Sequence, residues 1–172
     1  LLLFREAPER GLDVDESPLP GERPDDYVRR VSAHKADFAW TRVEQRRLHR
    51  QPVLSADTTV CIDDRILGKP ADRADAIRML TALAGREHRV LSAVTVRLDD
   101  RTEQRVSESR VQFRPMAREE IERYVASGEP MDKAGAYAIQ GRAAAFIMKL
   151  EGSYSGVMGL PLFETAELLA RF

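Results

Sequence analysis

Apolar positions change their period several times along the chain, and each change marks an element. From Asp25 or Asp26, either of which suits an N-cap, Val28, Val31, Phe38 and Val43 fall on one helical stripe that runs to about Arg47. Lys35 follows Val31 by four positions and precedes Phe38 by three, so it projects from the apolar face, where an ammonium group needs a partner. Residues 52–60 read as a strand ending in polar residues (Ser55, Asp57, Thr58, Thr59), and 66–70 as a turn or short strand. A second helix starts near Asp72, carries Ile77, Leu80 and Leu83 on one face and stops at Gly85. Residues 90–98 and 105–114 alternate as strands around a polar 99–102, which predicts an antiparallel hairpin with a loop of several residues. A short helix over 117–126 turns Ile121, Tyr124 and Val125 inward, 144–150 read as a strand, and Pro161 suits the first turn of a last helix ending near Phe172. Pro18, Pro20, Gly21 and Pro24 make 13–24 an extended loop. Strands and helices mixed in this order predict an α/β domain with a mixed, partly antiparallel central sheet flanked by helices.

Residues 127–141, SGEPMDKAGAYAIQG, keep neither period. They place Asp132, Lys133 and Gln140 among Gly128, Gly135 and Gly141, and glycines let backbone approach a ligand closely while polar side chains address it. A surface loop with several turns has a similar composition.

The length, 172 residues, suits one domain with a sizeable core. Its 27 basic and 28 acidic residues nearly cancel, which gives no reason to expect a nucleic-acid polymer or an anionic membrane as partner. No apolar run approaches the roughly 18 residues of a membrane span, and no secretory signal pattern is present. Cys61, the single cysteine, has no internal disulfide partner, so a reducing, cytoplasmic setting fits best. Neither a Gly-x-x-x-x-Gly-Lys-Ser/Thr loop nor Gly-x-Gly-x-x-Gly occurs, which excludes the common phosphate cradles.

Several side chains have chemistry to offer. Asp57 opens the polar end of its strand, the position where open α/β sheets bind ligands; it could hold a divalent cation or accept a proton from water, or simply close a turn. Glu16 stands beside Asp13 and Asp15, and such a trio repels itself unless solvated or gathered by a cation. Lys35, Lys69 (between Gly68 and Pro70) and Lys133 are candidate phosphate contacts, Lys133 equally a partner for Asp132 or Glu129. Gln140 offers both a donor and an acceptor to a nucleobase edge, or ties its own loop. His34, His49 and His88 show no metal-ligand spacing and read as surface or interface residues; Cys61 reads as a packed thiol and Trp40 as core or interface.

Beyond these single residues, ordered blocks resemble one family. DVDESPLPGERPDDYVRRVSAHKA, SADTTV, GKP, AIRMLTALAGREHRVLSAVTV, SGEPMDKAGAYAIQG and EGSYSGVMGLPLFET are together similar to the Maf-like nucleoside triphosphate pyrophosphatases, over nearly the whole chain. The resemblance implies Asp57 as proton acceptor and, with Glu16, as holder of Mg²⁺ or Mn²⁺. It implies Lys35, Lys69 and Lys133 on phosphates, and Thr58 and Gln140 as base readers of the dTTP/UTP-preferring branch. It also implies a homodimer. Family members open with a strand and a Ser-Pro-Arg-Arg loop; Leu1 to Leu3 would be that strand, and the loop is expected to be missing between Leu3 and Phe4. The alternative to an enzyme is a nucleotide-sensing or partner-binding regulator of cell division with little turnover.

Overall fold

The computed structural model describes residues 14–172. At its centre lies a five-stranded sheet in the order β2-β1-β3-β4-β5. The strands are β1 (Val53–Ile62), β2 (Arg65–Leu67), β3 (Glu87–Leu98), β4 (Arg101–Phe113) and β5 (Ile147–Glu151). Helices α1 (Pro24–Gln45), α2 (Arg73–Leu83), α3 (Arg118–Ala126), the one-turn α4 (Tyr154–Val157) and α5 (Leu162–Leu169) flank it, so the α/β class is as expected. Among the described residues every strand pairing is antiparallel.

Alternation along the strands sends neighbouring residues to opposite layers. Cys61, Leu91 and Ala93 pack under Tyr27, Val28 and Val31 of α1, and Val53 packs under Ala39, Trp40 and Val43. Val60, Val90, Val111 and Phe113 face the other way, against Leu80 and Leu83 of α2 and Ile121, Tyr124 and Val125 of α3. Val94 and Val96 meet Leu168 of α5 on that second face. The expected stripe of α1 holds at Val28, Val31 and Val43, but Phe38 is only half-buried, and Ala36, Ala39 and Trp40 complete the face.

Several boundaries differ from the sequence reading. Helix α1 starts at Pro24, whose missing N–H costs nothing at a first position, so Asp25 and Asp26 lie within the first turn, toward the positive end of the helix dipole, and neither caps it. It ends at Gln45, short of Arg47. The β3–β4 connection is a tight turn, with Leu98 paired to Arg101, because Asp99 adopts a left-handed φ of 53° that Asp tolerates. Strand β3 begins at Glu87 and so takes in His88, which is a core residue 2% exposed and no surface group: its Nε2 lies 2.8 Å from the Tyr137 hydroxyl, and Phe113 and Tyr137 meet its ring edge-on. His34 and His49 are exposed, and Cys61 is a buried free thiol. Arg142–Phe146 form a 3₁₀ turn, so β5 starts only at Ile147; Pro161 is the N-cap of α5, which ends at Leu169.

Two features position the site. The polar residues expected at the end of a strand lie inside β1, with Asp57 opposite Ala93 and Thr58 opposite Ser92 of β3. On its other side β1 pairs with β2 only from Val60 to Ile62, so among the described residues the β1 edge before Val60 has no strand partner. The expected strand at Leu1 to Leu3, the junction at Phe4 and Asp13 lie outside the described residues. No helix among the described residues is long and apolar enough to cross a membrane.

Candidate active site

A cavity of about 250 Å³ opens beside β1. It is lined by Glu16 from the entry loop, Tyr27 and Lys35 from α1, residues 56–60 of β1 and Gly68–Lys69 after β2. The 132–137 segment, with Asp132, Lys133 and Tyr137, and the 157–159 turn complete the wall. Asp57 and Thr58 point to opposite faces of β1 by strand alternation, yet both line this one cavity. The absence of a strand partner before Val60, among the described residues, lets the cavity wrap around the β1 edge.

On the α1 face three charges converge. Lys35 Nζ donates to Asp57 Oδ1 at 2.8 Å and lies 2.7 Å from Glu16 Oε1. Helical geometry explains the reach: Tyr27, Val31 and Lys35 repeat every four residues on the inward face, so the apolar stripe that buries Val31 also carries Lys35 into the site. Tyr27 fixes the entry loop, its hydroxyl donating to the Glu16 carbonyl at 2.9 Å. Of the remaining acids in that loop, Asp15 accepts from the Ser17 amide and stays exposed, so Glu16 alone turns inward among the described members of the trio.

One ammonium serves two carboxylates, and the pKa directions follow. Burial pushes the Asp57 carboxyl above the usual aspartate range; Lys35 pulls it back, while the charge of Glu16 adds to the rise. Burial opposes the charge on Lys35, but Asp57 and Glu16 together overcome it and hold Lys35 above the ordinary lysine value. Lys35 is therefore a fixed cation, with one of its three N–H donors left beyond these two contacts. The Tyr27 phenol, pushed up to about 12 by burial and then by Asp57 and Glu16, remains a neutral donor.

The second face is neutral. Thr58 Oγ1 lies 2.7 Å from Ser92 Oγ, which lies 2.6 Å from the Gly156 carbonyl. Also on the lining, Lys69 is exposed on its Gly-Lys-Pro turn, and Lys133 pairs with Asp132 at 2.5 Å rather than with Glu129. Glu129 instead accepts from the Tyr124 hydroxyl and the Arg142 amide. Gly135 was expected to bring backbone near a ligand; it brings backbone near protein. Its φ is 68°, a Cβ there would sit 2.8 Å from Val60 Cγ1, and its N–H donates to the Gly68 carbonyl at 3.1 Å, which docks the Lys69 turn against the 134–136 segment.

Of the residues singled out from the sequence, Glu16, Lys35, Asp57, Thr58, Lys69 and Lys133 all line the cavity. Gln140 does not; it is exposed in the turn after Ile139. Tyr27, Ser92 and Tyr137 were not singled out. The four-residue spacing from Tyr27 to Val31 to Lys35 was a usable signal, whereas Ser92 reads as one polar residue in an apolar strand until β1 is laid beside it.

Comparison with known proteins shows the family. A family model described as Maf-like protein matches residues 5–172. The chain belongs to the Maf-like family. Among its relatives, a dTTP/UTP pyrophosphatase of Nitrosomonas europaea is 57% identical over 169 residues, covering 98% of this chain and 82% of the relative. One of Cupriavidus pinatubonensis is 62% identical over 161 residues (94% and 80%), and one of Cupriavidus metallidurans 60% over 168 residues (98% and 84%). For this Maf-like chain the match spans the entry loop, β1, the Lys69 turn and the 132–137 segment, which are the parts that build the cavity.

Proposed function

We propose that this protein hydrolyses nucleoside triphosphates, dTTP and UTP among them, to a nucleoside monophosphate and pyrophosphate. The observation that carries the reading is a buried carboxylate, Asp57, locked by Lys35 in a cavity that Lys69 and Lys133 also line. The relatives named dTTP/UTP pyrophosphatase support the substrate class.

In this mechanism Asp57 takes a proton from water as its oxygen attacks the α-phosphorus. The bond from that phosphorus to the bridging oxygen of the β-phosphate breaks, and pyrophosphate leaves with the electron pair. A base with a raised pKa holds the proton more readily than an ordinary aspartate, while Lys35 limits the rise and favours the ionised form. Lys69, Lys133 and the remaining Lys35 donor meet the phosphate oxygens and the charge that grows on the leaving group. Thr58 reads the base from the neutral wall, whereas Gln140 is exposed outside the cavity lining and carries no step of this mechanism.

Glu16 and Asp57 suit Mg²⁺ or Mn²⁺ chemically. No cluster of three or more metal-ligating side chains exists among the described residues, but a hard cation on a triphosphate needs only one or two carboxylates and takes its other oxygens from phosphate and water. When bound, such an ion neutralises phosphate charge. A cytoplasmic location belongs to this reading and is supported by the lone buried thiol Cys61. So does a homodimer, which sedimentation velocity tests.

The deciding experiment is pyrophosphate release from a nucleoside triphosphate panel with Mg²⁺ or Mn²⁺, by the wild-type chain and Asp57→Asn. Release from dTTP and UTP that vanishes in the variant is expected. Release that survives Asp57→Asn would remove Asp57 as the base, and a folded wild-type chain inert on every nucleotide would leave a binding protein.

A further inference from the structure

Residues 14–23, which carry Glu16 into the site, contain neither helix nor strand, so their backbone polar groups need partners outside regular structure. Helix α1 supplies partners for two consecutive carbonyls. The Tyr27 hydroxyl donates to Glu16 O at 2.9 Å, and Arg30 Nη2 donates to Ser17 O at 3.0 Å. Tyr27 and Arg30 stand three positions apart on α1, with the guanidinium 5.7 Å from the Tyr27 ring centroid. Arg30 is itself gripped by the loop it holds. Its Nε donates to Glu22 Oε1 at 2.6 Å and its Nη2 to Glu22 Oε2 at 2.8 Å, a fork that fixes the guanidinium plane. Glu22 Oε2 also accepts the Leu19 N–H at 2.9 Å, and the Glu22 N–H donates to Leu19 O at 3.0 Å. Residues 19–22 thus close into a turn, with Pro20 and Gly21 at its centre and Gly21 at a φ of 72°. The Glu22 side chain is 7% exposed and that of Arg30 20%, so this is not one of the solvated surface pairs that contribute little. Neither residue lines the cavity.

We propose that the Glu22–Arg30 pair is a positioning clamp that holds the Glu16 carboxylate against Lys35. The inference rests on the nucleotide-hydrolysis reading above and adds two residues that touch no reacting group. Asp57 needs no such device, because the β1–β3 ladder runs through it. Glu16 projects from a loop outside the sheet, and its contact with Lys35 is 2.7 Å long. A shift of about 1 Å in the loop would break that contact. Tyr27, Arg30 and Lys35 all stand on α1, so the clamp and the cation that Glu16 meets are held by one helix.

The test is kcat/KM for UTP across pH with the full chain, in wild type, Arg30→Gln, Glu22→Ala, Glu16→Gln and the Glu16→Gln/Arg30→Gln double variant. Arg30→Gln and Glu22→Ala are each expected to lower kcat/KM by about 10–100-fold. In the Glu16→Gln background Arg30→Gln should cost less than about twofold, because the clamp then has nothing to position. The acid limb of both single variants should also move to lower pH. Asp57 faces Lys35 and the neutral Tyr27 phenol from α1, Glu16 from the loop and Lys69 from the turn after β2, and Glu16 is the charge among them that raises its pKa. Loss of the Arg30 charge by itself would move the limb the other way or leave it in place. An equal fold-loss in both backgrounds, or a limb that stays or rises, would mean that the pair only braces α1, and would overturn the inference. Full activity in Arg30→Gln and Glu22→Ala overturns it too. Should Arg30→Gln fail to fold, Glu22→Ala takes its place; should Glu16→Gln be too slow to measure, the direction of the limb decides. A Glu16→Gln chain as active as wild type overturns the inference and leaves hydrolysis standing. A wild type that releases no pyrophosphate from any nucleotide overturns the hydrolysis reading and this inference with it.

Discussion

On the α1 side of β1, Asp57 is set by ions; on the other side Thr58, the next residue, is set by neutral hydroxyls. The two sides solve different problems. Ionic control shifts proton affinity, which is what a base needs, and it depends on the sum of charges: two carboxylates for one ammonium leave Asp57 above the usual range. Hydroxyl control shifts no charge and instead fixes which way a proton points, which is what base reading needs. A β1 edge with no strand partner before Val60, among the described residues, lets one cavity draw on both.

The largest effect that would break this contrast is on the ionic side. Asp57→Asn should lower pyrophosphate release by about 10²–10⁴-fold, the usual worth of a positioned base. It should not lower the melting temperature. A carboxyl whose folded pKa is raised binds its proton more tightly when folded, so its stabilising share is present at low pH and lost as pH rises through the folded pKa. Above that folded pKa the ionised, buried Asp57 opposes folding, and a melting curve of Asp57→Asn equal to or above wild type is the expected result there.

Lys35→Met should cost about 10²–10³-fold in rate, from lost charge stabilisation, and about 3 kcal/mol in stability, from the carboxylates left without their cation. The acid limb of the pH–rate profile should move upward, since Lys35 is the main influence that lowers the Asp57 pKa. Urea melts and a pH–rate series check both parts, and adding Asp57→Asn to Lys35→Met should recover part of the stability.

A third titration lies behind the cavity wall and touches neither side. Burial holds the His88 imidazole down at about 4, so the folded state keeps it neutral while the unfolded chain takes up a proton near the ordinary pH 6.5. Stability is therefore full above 6.5 and falls by about 3 kcal/mol as pH drops toward 4. His88→Gln, which keeps a polar partner for Tyr137, should flatten that loss in acid melts, whereas Asp57→Asn should not.

On the neutral side, Thr58→Val should lower kcat/KM for UTP by about tenfold and leave the pH–rate profile where it is, because the hydroxyl chain carries no charge. A shift of the acid limb in this variant would join the two sides that the comparison separates. Smallest of all, Gln140→Ala should change kcat/KM by about threefold or less, since its side chain is exposed and does not line the cavity.

Much of this was legible before any coordinates. The buried faces of α1, α2 and α3 follow from helical periodicity, and β3 and β4 from alternation, because both periods are local properties of the backbone. Lys35 announced itself as a charge on an apolar stripe, and Asp57, Glu16, Lys69 and Lys133 as polar groups in the right segments. Sequence alone placed Asp57 at a strand end, since a polar run looks like one; only the ladder to β3 reveals that β1 continues through it. It left His88 at the surface or an interface, because nothing local signals burial under Phe113 and Tyr137, which stand far along the chain.

What the residues by themselves determined was the set of reactive groups and the elements that carry them. Tertiary structure decided how those groups are paired: Lys35 with Asp57 across 22 positions, Thr58 with Ser92 across 34, Ser92 with Gly156 across 64. Proton affinity and proton direction are properties of such pairs, fixed by distance and desolvation, and neither exists until the strands and α1 have been brought together.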